Sequence, residues 1–150
     1  MKKHPLDRLD KEILRCLGED GRLSWSELGK RVNLSVSATQ RRVEKLQQQE
    51  VISGFKARLN PKAMGYDVLA FVDVRVERQN LKTTRDFRAM IEGCEQVRAC
   101  YMISGDNDYR LEVMAESVAA LGKFMLETVL SFPGVRDASS SLVFDTVKEH

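Results

Sequence analysis

Leu9, Ile13 and Leu17 recur at i, i+4, i+8 with Leu14 beside them, the spacing of one apolar stripe on a helix over residues 7–19. Asp20-Gly21 closes that segment, because glycine accepts the left-handed backbone just past a helix end. Ser24-Trp25-Ser26-Glu27 has the form of a capping box, in which the serine oxygen accepts the amide three residues on and the glutamate reaches back. A short helix therefore begins at Ser24 and turns Leu28 and Val32 inward. Asn33 follows, one of the few non-glycine residues that tolerate positive φ, and Ser35 or Ser37 caps a third helix with Val43 and Leu46 inward. Two capped helices joined by such a turn make a helix-turn-helix over residues 24–46. Val51 to Leu59 reads as an extended strand or wing, and Asn60-Pro61 as the boundary between domains 1–60 and 61–150.

The periodicity then changes. Val68, Ala70, Val72, Val74 and Val76 alternate at period two, which predicts a strand, and residues 82–92 predict a helix using Phe87, Met90 and Ile91. Val97, Ala99, Tyr101 and Ile103 alternate on one face of a strand over 97–104; Tyr109, Leu111, Val113 and Ala115 alternate on the next. The turn formers Ser104-Gly105-Asp106-Asn107-Asp108 between them predict a hairpin. Leu121, Met125 and Val129 lie on another helix, which Pro133-Gly134 ends, and a last strand runs from about Val135 to Val147. The class is α+β, and the order β-α-β-β-α-β is that of a ferredoxin-like unit. Two helices cover one face of such a sheet. Leu69 and Phe71 point to the other, where a twofold copy of the same sheet is the simplest cover, so a dimer is expected.

Composition narrows the class. With 43% hydrophobic and 31% charged residues, the 150-residue chain reads as soluble and globular. No apolar run approaches the roughly 20 residues that a bilayer requires. The basic start Met1-Lys2-Lys3-His4-Pro5 is not followed by an apolar segment, so no signal peptide is expected. Cys16, Cys94 and Cys100 are odd in number and contain no Cys-x-x-Cys pair, which suggests free thiols in a reducing compartment, by default the cytoplasm. Charge is divided unevenly. Residues 1–60 carry 13 Lys/Arg against 8 Asp/Glu, and residues 61–150 carry 11 against 14. The first portion is thus the one suited to a polyanion.

The segment from Ser35 to Leu46 suits a DNA-reading helix. Ser35, Ser37, Ala38, Thr39 and Gln40 offer small or amide-bearing groups that approach base edges without blocking the groove. Arg41, Arg42 and Lys45 follow about one turn later, placed for phosphates or guanine, and Lys30 and Arg31 on the preceding helix are placed for the backbone. Catalysis finds no support: His4 and His150 stand at opposite ends of the chain, and neither a nucleophile–base pairing nor a metal-ligand spacing is visible. A single-stranded RNA-binding module shares the βαββαβ order, but Tyr109-Arg110-Leu111-Glu112-Val113-Met114-Ala115-Glu116 lacks the basic-glycine-aromatic run that stacks bases. A metabolite-binding domain without control over DNA is the other alternative.

Several segments together resemble the Lrp/AsnC family of bacterial and archaeal regulators, also called feast/famine regulatory proteins. They are Leu6-Asp7-Arg8-Leu9-Asp10 with Ile13-Leu14, Asp20-Gly21-Arg22, Glu27 to Ser35, Arg42-Val43-Glu44-Lys45-Leu46, Leu59-Asn60-Pro61, Ser104 to Tyr109, and Pro133-Gly134-Val135. The resemblance covers essentially the whole chain. It implies an N-terminal winged helix-turn-helix and a C-terminal βαββαβ domain, often called the RAM domain, that binds effector. It also implies operator DNA as partner, dimers assembling into octamers, a nucleoid-associated location in a prokaryotic cytoplasm, and an amino acid effector between dimers with no cofactor or metal. The effector residues it implies are Met102, Ser104, Gly105, Asp106, Asn107, Asp108, Ser141 and Leu142, with Gly105 and Asp108 matching the family's Gly-x-x-Asp turn. In that turn, backbone amides at a glycine suit a carboxylate and an aspartate suits an ammonium group. The chain departs from the family at Asn33, usually glycine, and at Val36 and Ala38, where some members carry proline. Operator preference therefore does not transfer.

Overall fold

The computed structural model describes residues 5–77 and 81–148, with Leu81 by its backbone alone. His4 and His150 fall outside the described residues. The chain forms two compact units, Met1–Arg58 and Leu59–His150.

The first unit is built from α1 (Arg8–Glu19), α2 (Trp25–Val32) and α3 (Val36–Gln48). Asp7 caps α1, accepting the Asp10 amide at 2.8 Å while Asp10 accepts the Asp7 amide at 3.2 Å. Ser24 and Glu27 form the expected capping box on α2, and Asn33 ends it at φ 55°, ψ 46°. Ser35, rather than Ser37, caps α3, with its Oγ accepting the Ala38 amide at 3.3 Å. Ile13, Leu28, Val32, Val43 and Leu46 form one buried cluster, as their spacing predicted; Cys16 joins it unanticipated, while Leu14 and Leu17 are only partly buried against it. Two local expectations fail. Gly21 does not adopt a left-handed conformation; α1 ends on extended Asp20, whose side chain accepts the Arg22 amide at 2.9 Å. A Cβ at Gly21 would lie 3.2 Å from the Phe55 ring, a tight contact that a small shift of that exposed side chain would relieve. The wing is also absent: no strand forms over residues 51–59. Val51 and Ile52 turn back to donate to the Leu46 carbonyl at 2.9 and 3.2 Å, and the exposed segment beyond has no neighbouring strand in its unit. Without a ladder partner, extended backbone remains a linker.

The second unit follows the expected order: β1 (Val68–Val76), α4 (Leu81–Glu92), β2 (Val97–Met102), β3 (Tyr109–Ala115), α5 (Val118–Phe124) and β4 (Val135–Leu142). Met125–Val129 prolongs α5 as a π-helical turn. The sheet runs β2-β3-β1-β4, with every neighbouring pair antiparallel. Val72, Val74, Phe87, Tyr109, Leu111, Val113, Leu121 and Val129 anchor the core between the sheet and the two helices. The expected face of β2 is corrected. An irregularity between Val97 and Ala99 shifts the register, so Cys100 and Met102 sit opposite the core residues Leu111 and Tyr109, while Tyr101 sits opposite exposed Arg110. One extra residue in a strand exchanges its two faces. β4 stops at Leu142 and not near Val147, because it pairs only with β1; the Val143 amide makes the last bond, to Leu69, and Phe144 and Val147 lie exposed.

Candidate DNA interface and effector pocket

The exposed side of α3 carries Val36, Ser37, Gln40, Arg41, Glu44 and Lys45. Ser35 lies at its cap, Ala38 is half-buried, and Lys30 and Arg31 stand exposed in the last turn of α2. Gln40 donates to Glu44 at 2.9 Å, so its amide must leave that partner to meet a base. Val36 was missed by reasoning from charge and hydrogen bonding. It is 49% exposed at the first position of α3, and an apolar side chain there suits a thymine methyl group.

Two residues expected on this face have other tasks. Thr39 is fully buried, with its hydroxyl donating to the Ser35 carbonyl at 2.9 Å, and it presents nothing to DNA. Arg42 turns away from the reading face. Its Nη1 donates to Asp7 Oδ2 and Asp10 Oδ1, both at 2.7 Å, tying α3 to the cap of α1. The Asp10 amide, and after it the Arg42 guanidinium, hold the Asp7 carboxyl below its ordinary range. A carboxyl depressed on folding stabilises the fold above its unfolded pKa and loses that contribution as pH falls through the depressed value. The single tryptophan, Trp25, lies in this unit and reports on it. Its fluorescence-detected thermal midpoint is expected to fall from about pH 4 downward. Arg42→Ala should lower the midpoint by a few degrees at neutral pH and make the acid fall shallower; an unchanged midpoint and profile would show that the clamp contributes nothing.

In the second unit, the turn from Ser104 to Asp108 packs against the end of β1. The Asp108 amide donates to Val74 at 2.9 Å, and Asp108 Oδ2 accepts the Val76 amide at 3.0 Å, extending the β1–β3 ladder through a side chain. Arg75 Nε donates to the Asp106 carbonyl at 2.7 Å. Gly105 takes φ 111° with open space where a Cβ would stand. Beside the turn lies a cavity of about 630 Å³, in which Gly105, Asp106 and Asp108 are joined by Arg75, Glu77 and Arg136. The last three were not anticipated. Arg136 follows Pro133-Gly134 on β4 and reaches the turn only because β4 pairs beside β1, a non-local fact.

The remaining expected effector residues do not join this cavity. Ser104 is exposed and Asn107 half-buried in the turn. Met102 lies on edge strand β2, whereas Ser141 and Leu142 lie on the opposite edge strand, β4.

The AsnC-type helix-turn-helix domain matches residues 6–47, which spans α1, α2 and most of α3. The Lrp/AsnC ligand-binding domain matches residues 69–150, which includes the whole turn and its cavity. The chain belongs to the Lrp/AsnC family. Among its relatives, the leucine-responsive regulatory protein of Salmonella typhimurium is 38% identical over 99% of this chain and 92% of that protein. The Bkd operon transcriptional regulator of Pseudomonas aeruginosa is 37% identical, over 95% and 93%. A Neisseria meningitidis transcriptional regulator solved with L-Met superposes with a TM-score of 0.93 at 34% identity, covering 97% of this chain and 94% of that one. The M. tuberculosis feast or famine regulatory protein solved with L-methionine gives 0.86 at 34% identity, over 97% and 96%. As an Lrp/AsnC protein, the chain is a transcription regulator with a helix-turn-helix DNA-binding domain and a ligand-binding domain.

Proposed function

We propose that this regulator binds operator DNA as a symmetric dimer, with an amino acid in the cavity beside the Ser104–Asp108 turn altering its DNA affinity. The observation that carries the effector reading is the lining of that cavity, where Arg75 and Arg136 face Asp106, Asp108 and Glu77 around an open glycine backbone. Cations suit the carboxylate of an amino acid and carboxylates suit its ammonium group. The L-methionine complexes of two similar regulators support the same class. Lys30, Arg31, Ser35, Ser37, Ala38, Gln40, Arg41 and Lys45 form the DNA surface in this reading, with Val36 added and Thr39 and Arg42 removed.

The dimer closes over the open sheet face, where Leu69, Phe71 and Met114 are only partly covered. Met102 on one edge strand, and Ser141 and Leu142 on the other, take part in effector binding together only where neighbouring copies meet, as in an octamer of four dimers. The protein acts without catalytic activity, cofactor or metal, on nucleoid DNA in the cytoplasm. Two reading helices on a twofold axis require half-sites about one DNA turn, roughly 34–36 Å, or a multiple apart.

A thermal-shift screen against the amino acids, paired with DNA titrations with and without each stabilising ligand, tests this reading. A ligand that binds only the native state must raise the midpoint. Arg136→Ala should abolish both the shift and the change in DNA affinity. The effector reading fails if no amino acid shifts the wild-type protein, or if Arg136→Ala responds as the wild type does.

A further inference from the structure

The segment that follows α3 forms no strand, yet two contacts hold it to the first unit. Ile52 packs on the buried cluster, and the Phe55 ring lies beside Gly21 in the turn between α1 and α2. The residues next to that contact, Lys56 and Arg22, are both exposed. Neither forms an ion pair among the described residues. Residues 51–58 carry Lys56 and Arg58 and no acid. The acids of the turn and its flanks are engaged locally. Glu19 accepts Arg15 at 2.8 Å, Asp20 accepts the Arg22 amide at 2.9 Å, and Glu27 accepts the Ser24 amide at 2.9 Å. Two cations are thus left without a partner where the linker meets the α1–α2 turn.

That turn precedes the start of α2, whereas the end of α2 leads into α3. The 8 residues of α2 span about 12 Å. A DNA major groove is roughly as wide, about 12 Å. With α3 in the groove and the preceding helix crossing the backbone, the start of α2 comes to the sugar-phosphate wall.

We propose that Arg22 and Lys56 form a phosphate clamp on the operator backbone, in the place that a wing would otherwise fill. Phe55 anchors the linker so that Lys56 stands beside the turn. Phosphate contacts carry no sequence information, so the clamp adds affinity and holds the register of α3 without changing what it reads. The proposal rests on the reading of α3 as the DNA-contacting helix and adds to that surface a separate pair of cations.

Full-length Arg22→Ala/Lys56→Ala is compared with the wild type and with Arg41→Ala/Lys45→Ala on one duplex that the wild type selects from a random pool. The change at 22 and 56 should weaken binding about tenfold or more and flatten the slope of log affinity against log salt by close to one for each phosphate lost. Ethylation of backbone phosphates should interfere at fewer positions in each half-site than for the wild type, while a fresh selection returns the same sequence. Arg22→Lys/Lys56→Arg should keep the wild-type slope and ethylation pattern. Wild-type affinity, slope and ethylation pattern in Arg22→Ala/Lys56→Ala would overturn the proposal alone, if Arg41→Ala/Lys45→Ala still weakened binding. An equal loss in Arg22→Lys/Lys56→Arg would overturn it too, because shape and not charge would be the cause. So would a changed selected sequence, which would put these residues on bases. A wild type that selects no duplex would overturn both the clamp and the reading of α3.

Discussion

Alanine at both Arg41 and Lys45 is expected to weaken operator binding by at least about a hundredfold, since each charge-assisted contact contributes roughly 1.5–3 kcal/mol and about 1.4 kcal/mol is tenfold. Both residues are exposed on α3, and neither is engaged in an ion pair among the described residues. Their charge is therefore available to phosphate, in contrast to that of Arg42. Each phosphate neutralised releases condensed counterions, so the slope of log affinity against log salt should become shallower by about two for the double variant. Anisotropy titrations at several salt concentrations, on duplexes that the wild-type protein selects from a random pool, measure both quantities. Trp25 fluorescence confirms that the variant is folded. Unchanged affinity and slope in a folded double variant would remove α3 from the phosphate contacts. Arg42→Ala gives the opposite signature, a loss of stability with the salt slope kept.

That contrast shows which parts of the DNA interface were legible in the chain. Capping is local: Ser24 and Glu27 are three residues apart, and Asn33 needs only its own backbone to end α2, so both were readable. The pairing of Arg42 was not legible, because its partners, Asp7 and Asp10, lie 35 and 32 residues away, and a basic residue on an amphipathic helix looks the same with or without them. The burial of Thr39 was not legible either, because it depends on a return bond to its own helix, here to the Ser35 carbonyl. In the second unit, period-two alternation located β1, β2 and β3, while β4 was placed only by the Pro133-Gly134 break before it. Alternation could not reveal the extra residue near Arg98, since an alternating pattern keeps its appearance across a bulge while its faces exchange.

The proposed effector region was legible as a turn and not as a cavity. Gly105 and Asp108 follow from local turn chemistry, and the structure shows what each does there: an unusual φ at one and a side-chain rung on the ladder at the other. Arg75, Glu77 and Arg136 complete the lining through strand pairing, because the β4 register brings Arg136 beside the end of β1. A linear pattern carries no record of that pairing beyond the alternation of its strands.

Gly29→Ala is expected to destabilise the first unit by about 2 kcal/mol, although a glycine-to-alanine change inside a helix ordinarily gains nearly 1 kcal/mol. Gly29 lies within α2 and is buried where the turn folds back. A Cβ there would meet the Leu34 carbonyl oxygen at 2.8 Å and Thr39 Oγ1 at 3.1 Å. The first of these is backbone, held by the Leu34 amide donating to the Gly29 carbonyl at 2.9 Å, so it cannot swing aside as a side-chain end would. Relief requires the turn to open. That lengthens the Leu34 bond, disturbs the Thr39–Ser35 bond and changes the angle at which α3 leaves α2. Gly18 provides the control, since it also lies in a helix but has no atom within 4 Å of its would-be Cβ. Gly18→Ala should therefore stabilise the same unit by up to about 1 kcal/mol. Denaturant unfolding followed by Trp25 fluorescence compares the two directly. A Gly29→Ala protein as stable as Gly18→Ala would mean that the turn yields without cost. In that case the missing side chain at Gly29 does not set the angle of the reading helix.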